Sequence, residues 1–220
     1  MAHRFAELMF TPAVKAVQER MGSRGGYESF EAPGAPGNDA FGPAERAFIA
    51  ARDSFYMATS SETGWPYVQH RGGPPGFLKV LDDRTLGFAD YRGNRQYVSV
   101  GNLAADDRVS LFLMDYPNRR RLKVIGHARA VDQRAEPGVV ERLQDAGYRA
   151  RVERGMIIAI EGFDWNCPQH ITPRFAEAEM AAVVGPLLAR LRAAEAELEQ
   201  CRRGVATAAH PGAGQPAGQP

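Results

Sequence analysis

Short runs of alternating apolar and polar residues fill the middle of the chain. "SFYMATS" (54–60), "PYVQHR" (66–71), "GFLKVLD" (76–82), "TLGFAD" (85–90), "RVSLFLMD" (108–115), "RLKVIGHARAV" (121–131) and "GMIIAIEGFDW" (155–165) each predict a strand. Four stretches carry the longer helical period instead. "TPAVKAVQERMG" (11–22) repeats Val14, Val17 and Met21, and residues 43–52 start at Pro43, a favoured first helical position. Further helices are expected from about 95 to 104 and over 137–147. The links between strands are too short for crossover helices, so the strands must pair antiparallel. The pattern predicts a mainly β, α+β fold: an antiparallel barrel with peripheral helices, not a doubly wound sheet.

The two ends of the chain read differently. Residues 23–43 hold five glycines and three prolines and predict an irregular wrapping segment. From residue 173 the pattern becomes heptad: Met180, Val184, Leu187, Leu191, Ala194, Leu198 and Cys201 recur at steps of four and three. Such a narrow seam fits a coiled coil with a second copy of the chain. Gly185-Pro186 should kink this helix or mark a restart. The expected divisions are therefore an N-terminal helix and wrapping segment (1–44), a barrel (45–172), a C-terminal helix (173–203) and a low-complexity disordered tail (204–220).

Composition narrows the function classes. The net charge is +1, so any anion site must be local, and nothing in the overall charge draws the chain to nucleic acid or an anionic membrane. No apolar run nears the about 18 residues of a spanning helix, and "MAHRFAELMF" lacks the features of a signal peptide. The two cysteines, Cys167 and Cys201, are neither a disulfide framework nor a zinc set, which suggests a cytoplasmic setting.

Four stretches could carry chemistry. In "QHRGGPPGFLKV" (69–80), Arg71 and Lys79 flank a Gly-Pro break. If that break is a hairpin turn, the two cations converge, and Gly72 lets an anion approach the backbone. The bland alternative is a surface turn with solvated charges. In "DYRGNRQYVSVGN" (90–102), Asn94 is a candidate N-cap, with Arg95 and Gln96 in the first turn behind it. A cation there opposes the helix dipole, which makes sense if a phosphate binds; a plain capped helix is the alternative. In "PNRRRLKV" (117–124), strand alternation places Arg119, Arg121 and Lys123 on one face and Arg120 on the other. The aromatic interleaving of a nucleic-acid surface is missing. "FDWNCPQHITPR" (163–174) carries Trp165, Cys167, His170 and Arg174. A Cys-His nucleophile would lack an orienting third group, one Cys and one His make a poor metal set, and a Trp and His covering a flat ligand fits better.

Taken in order, these stretches resemble the pyridoxamine 5'-phosphate oxidase-like family of FMN-binding split β-barrels over roughly residues 45–170. The likeness is strongest to its flavin-nucleotide-binding subgroup. It implies a homodimer with FMN at the interface and a small-molecule redox substrate or electron donor. The family's phosphate-binding Arg and Lys fall on Arg71 and Lys79, and its small polar residue, Arg and Lys at the helix start fall on Asn94, Arg95 and Gln96. Gln96 departs from the usual Lys, a loss His70 could make good. The flavin-ring contact falls near Arg120 or Arg121. The chain lacks the family's C-terminal substrate-phosphate segment, which argues against the vitamin B6 reaction and leaves no catalytic acid or base assigned. Two main rivals stand beside a flavin-dependent oxidoreductase, ahead of a weaker third, a nucleic-acid binder through Arg119 to Arg121. One is a non-catalytic flavin-binding module. The other is a haem-binding or haem-degrading protein using His70, His127 or His170.

Overall fold

The computed structural model describes residues 3–165 and 167–208, and the chain divides into two compact units at Pro173/Arg174. In the first unit the strands are β1 (Ser54–Ser60), β2 (Pro66–Gly72), β3 (Lys79–Val80), β4 (Thr85–Tyr91), β5 (Arg108–Asp115), β6 (Arg120–Asp132) and β7 (Val152–Trp165). They form one seven-stranded sheet in the order β2-β1-β5-β6-β7-β4-β3, and every pair is antiparallel. The sheet curls into the split-barrel form, mixed α+β as the residue pattern predicts. Its inner face carries Phe55, Met57, Phe88, Leu111, Leu113, Leu122, Val124, Met156 and Ile158, all 1% exposed or less. Phe55 from β1 packs edge-on against Phe88 from β4 at 5.3 Å, so the two halves of the barrel share one core.

Local chemistry sets the helices. α1 (Arg4–Met9) is capped by His3, whose Nδ1 accepts from the Ala6 N–H. α2 (Pro12–Arg20) has Thr11 as its cap and Pro12 at its first position. The segment expected to be irregular contains a 3₁₀ turn (Arg24–Tyr27) and α3 (Glu28–Glu31), stitched by ion pairs of Glu31 with Arg24 and Lys15. α4 (Pro43–Ala50) starts where Glu45 Oε2 accepts the Gly42 N–H at 3.0 Å. α6 (Pro137–Leu143) is shorter than the expected 137–147 and buries Val140 and Leu143.

α5 (Val98–Ala105) packs against β1, β2 and β6. Its buried polar groups are matched to the barrel: Asn102 Nδ2 donates to Thr59 Oγ1, and Ser99 Oγ donates to Gln69 Oε1, both at 2.9 Å. Gly126 sits at the register shift in β6, where a Cβ would collide with the Ala159 carbonyl of β7. Only glycine lets the two backbones approach so closely at this bulge.

The second unit contains one continuous helix, α7 (Glu177–Ala208), which runs through Pro186 without a restart. It also takes in residues 204–208, which the composition assigns to the tail; the rest of that tail, 209–220, lies outside the described residues. Among the described residues no helix is long and apolar enough to cross a membrane.

Candidate functional site

β2 and β3 lie at opposite edges of the sheet, so the Gly-Pro stretch between them is not a hairpin turn. It is an arch closing the barrel. Gly76, at φ +83°, turns it, and the Gly76 N–H donates to the Arg52 carbonyl. The expected convergence of Arg71 and Lys79 therefore does not occur within this chain. Arg71 is level with Phe55 on the inner face. Its Nη1 donates to Asp90 Oδ1 at 2.7 Å, and its guanidinium lies 5.8 Å from the Phe88 ring centre. Lys79 is level with Gly87 of β4 and therefore on the other face. There Lys79 Nζ donates to Asp145 at 2.6 Å, and Asp145 also accepts from the Tyr91 hydroxyl at 3.0 Å. Alternation along β4 separates the two cations: Phe88 and Asp90 face in, Gly87 and Tyr91 face out.

Asp90 is the hub of the inner cluster. It is buried, with Arg71 on one side and Arg154 Nε of β7 at 3.3 Å on the other. Arg154 also donates to Glu153 at 3.1 Å and lies over the Tyr97 ring at 4.9 Å. The Tyr97 hydroxyl donates to Glu153 and accepts from Arg95 Nε, each at 3.2 Å. Arg71 Nε and Arg154 Nε are buried and make no hydrogen bond; the Arg154 atom is close to Asp90 but not in hydrogen-bond geometry. Burial is the leading influence on the ion pair. It pulls Arg71 below its ordinary pKa and pushes the Asp90 carboxyl above its own, while their mutual attraction opposes both shifts. Next to the cluster, Tyr97, Arg134, Arg151, Glu153 and Arg154 line a cleft of about 570 Å³.

The loop before α5 also departs from expectation. The helix starts at Val98, with Tyr97 as its N-cap and no capping side chain. Asn94 instead accepts from the Gln96 N–H at 3.2 Å, a turn within the loop. Arg95 and Gln96 thus precede the helix, and Arg95 and Tyr97 both adopt positive φ (64° and 55°), uncommon for residues other than glycine. The loop still delivers Arg95 to the Arg154 side of the cluster, through Tyr97.

The remaining sequence-derived residues fall elsewhere. His70 lies on the outer face of β2, its ring 5.6 Å from that of Tyr56, and Gly72 ends that strand. Arg121 shares that outer face. Its guanidinium is 5.9 Å from the Phe112 ring centre, and its buried Nε has no partner. Arg120 points the other way and stacks 4.6 Å from the Trp165 ring, and Trp165 Nε1 donates to Glu45 Oε1 at 2.8 Å. The two oxygens of Glu45 thus cap α4 and hold Trp165 at once. His170 is exposed in a loop at φ 60°. His127 is engaged by Asp107 at 2.7 Å and Glu161 at 3.8 Å. Among the described residues no group of three or more His, Cys, Asp or Glu side chains could hold a metal.

Asp90, Arg154, Tyr97 and Glu153 were missed by sequence reasoning. The available signal was a charge inside an apolar strand. "GFAD" and "VERGM" both break their runs with charged residues, and a buried charge needs a partner.

The model of the pyridoxamine 5'-phosphate oxidase family matches residues 41–159. No curated protein matches. Among solved structures, HupZ of Group A Streptococcus is 14% identical, aligns over 61% of this chain and 99% of its own, and has a TM-score of 0.47. An FMN-binding protein from Syntrophomonas wolfei is 15% identical over 70% of this chain and 97% of its own, with a TM-score of 0.43. HutZ, the heme storage protein from Vibrio cholerae, is 16% identical over 56% of this chain and 92% of its own, with a TM-score of 0.37. The family match spans β1 to β6 and more than half of β7, and with it the whole Arg71–Asp90–Arg154 cluster, so this chain belongs to the pyridoxamine 5'-phosphate oxidase family.

Proposed function

We propose that the chain binds FMN and works as a flavin-dependent oxidoreductase, as a homodimer with the flavin at the interface. The observation that carries this reading is the pair of buried Nε–H groups of Arg71 and Arg154, on either side of Asp90, that make no hydrogen bond, within a chain of this family. An unsatisfied buried donor costs about 1–3 kcal/mol, and a phosphate oxygen is the acceptor that best matches an arginine fork. The residues present fit such a group: Arg71, Arg95 and Arg154 outnumber the nearby carboxylates Asp90 and Glu153.

FMN, when bound, supplies the redox chemistry by accepting and passing on a hydride or electrons. The chain supplies the rest. Arg71, Arg95 and Arg154 hold the phosphate, with Asn94 and Gln96 shaping the loop beside it. Asp90 pre-positions two of these arginines. His70 and Gly72 lie one residue to either side of Arg71, with His70 on the outer face of β2. Arg120 or Arg121 would place positive charge beside the flavin ring, and Trp165 and His170 would shape that end of the pocket. Lys79, held by Asp145 on the other face, lies away from this cluster within its own chain. The exposed Tyr56, Trp65 and Val68 around β1 and the β2 edge support a second copy covering that surface.

The test is the visible absorption spectrum of the purified protein, with the released chromophore identified by mass. FMN, or an apoprotein that takes up added FMN, supports the reading. A colourless protein that refuses FMN overturns it. Turnover with a reductant and an acceptor separates an oxidoreductase from a flavin-binding module.

A further inference from the structure

We propose that α7 pairs with α7 of a second copy in a parallel, in-register coiled coil whose direction is set by the charges beside its seam. In heptad terms Val184, Leu191, Leu198 and Val205 occupy a positions, and Met180, Leu187, Ala194 and Cys201 occupy d positions. The helix is continuous across all of them. Met180, Leu187, Leu191, Leu198 and Val205 are between 45% and 70% exposed, a large apolar stripe for one helix. Gly185 and Pro186 fall at b and c, on the solvent side of the seam. The missing proline N–H therefore costs an outward carbonyl its partner and leaves the a/d stripe unbroken.

The occupant follows from the flanking e and g positions. In a parallel in-register pair, each g residue faces the e residue of the next heptad of the partner helix. Arg190 (g) then meets Glu195 (e) of the second copy, Glu197 (g) meets Arg202 (e), and Val183 (g) meets Leu188 (e). Every flanking contact is matched, two by opposite charge and one by apolar contact, and symmetry repeats each on the other side. None of the four charged residues makes an ion pair within its own chain among the described residues. The antiparallel alignment that sets Leu191 against Ala194 gives a poorer match. It keeps Arg190 near Glu197 but sets Leu188 against Glu195 and Ala181 against Arg202. Exposed ion pairs contribute little to affinity, yet like charges at these positions discriminate strongly between partners. A second copy read in the same direction is the occupant the sequence of α7 fits.

The in-register arrangement brings the two Cys201 side chains together in one d layer, which makes the experiment direct. The chain has two cysteines, so Cys167→Ser in the full-length protein leaves Cys201 as the single thiol. A short bis-maleimide should then join two copies through Cys201. An acidic variant, Arg190→Glu with Arg202→Glu, places Glu opposite Glu throughout. A basic variant, Glu195→Arg with Glu197→Arg, does the reverse. Each alone should lose crosslinking by about tenfold or more. Their mixture, with one partner carrying a size tag, should recover it as a species of intermediate mass. Circular dichroism confirms that both variants are folded. Four results would each overturn the proposal. They are absence of the Cys201 crosslink in the parent, crosslinking indifferent to charge reversal (as proximity imposed by a barrel dimer alone would give), a mixture that stays uncrosslinked, and, after Val184→Cys, a Cys201 link to position 184 of the other copy. None of these readouts depends on flavin.

Discussion

The Arg71–Asp90 pair can be taken apart quantitatively. Both side chains are nearly inaccessible, at 11% and 8% exposed, so solvent screening is weak. Removing one member of a buried pair strands the other, at a cost of about 3–5 kcal/mol. Asp90→Asn strands Arg71 and takes from Arg154 one of its two carboxylates, leaving it Glu153, and is expected to cost near the upper end of that range. Arg71→Met leaves Asp90 with Arg154 still 3.3 Å away, so its cost should fall near the lower end. The double replacement Arg71→Met with Asp90→Asn removes both charges and leaves Arg154 to Glu153. Its cost should be well below the sum of the two, with a coupling of about 2–3 kcal/mol. Urea unfolding of the four proteins at constant m-value measures each term. A cost below about 1 kcal/mol for Asp90→Asn, or additive single effects, would refute the account, because neither is compatible with a desolvated, mutually dependent pair.

Four further outcomes are expected. Arg71→Met should weaken FMN binding by about 1.5–3 kcal/mol, read by fluorescence titration, while Lys79→Met should leave it nearly unchanged, since Lys79 works on the opposite face of β4. Asp106, held by hydrogen bonds from Arg108, should titrate at about 2 in a carbon-detected NMR pH series. Because its folded value lies below the ordinary carboxylate value, its contribution to stability is present above about pH 4 and fades as the pH falls towards 2. Arg108→Ala should return the titration towards the ordinary value. Glu45→Ala should shift Trp165 fluorescence and cost about 1 kcal/mol or slightly more, from the lost indole hydrogen bond and the lost α4 cap together. Gly126→Ala should destabilise by about 1–3 kcal/mol, measured by thermal melting, because a methyl group there meets backbone rather than a movable side chain.

Most of the barrel was legible in the chain itself. Period-two alternation located β1, β2, β4, β5, β6 and β7 to within a few residues, because a strand with one face in the core must alternate. Short links between strands dictated antiparallel pairing, and the ordered motifs carried the family resemblance that the match over residues 41–159 then established. The heptad repeat likewise marked α7, although only the helix itself showed that Pro186 leaves it continuous. Which strands become neighbours was a different matter. β2 and β3 are adjacent in sequence and lie at opposite edges of the sheet, and the energy deciding this comes from closing one shared core around Phe55, Phe77 and Phe88. That closure puts Arg71 and Lys79 on different faces of β4. It also gives Arg71 partners 19 and 83 positions away, Asp90 directly and Arg154 through it. Local pattern determined the elements because side-chain periodicity is a property of each segment. The composition of the charged cluster belonged to the tertiary structure, because a buried charge is satisfied by whichever residue the completed barrel brings within reach.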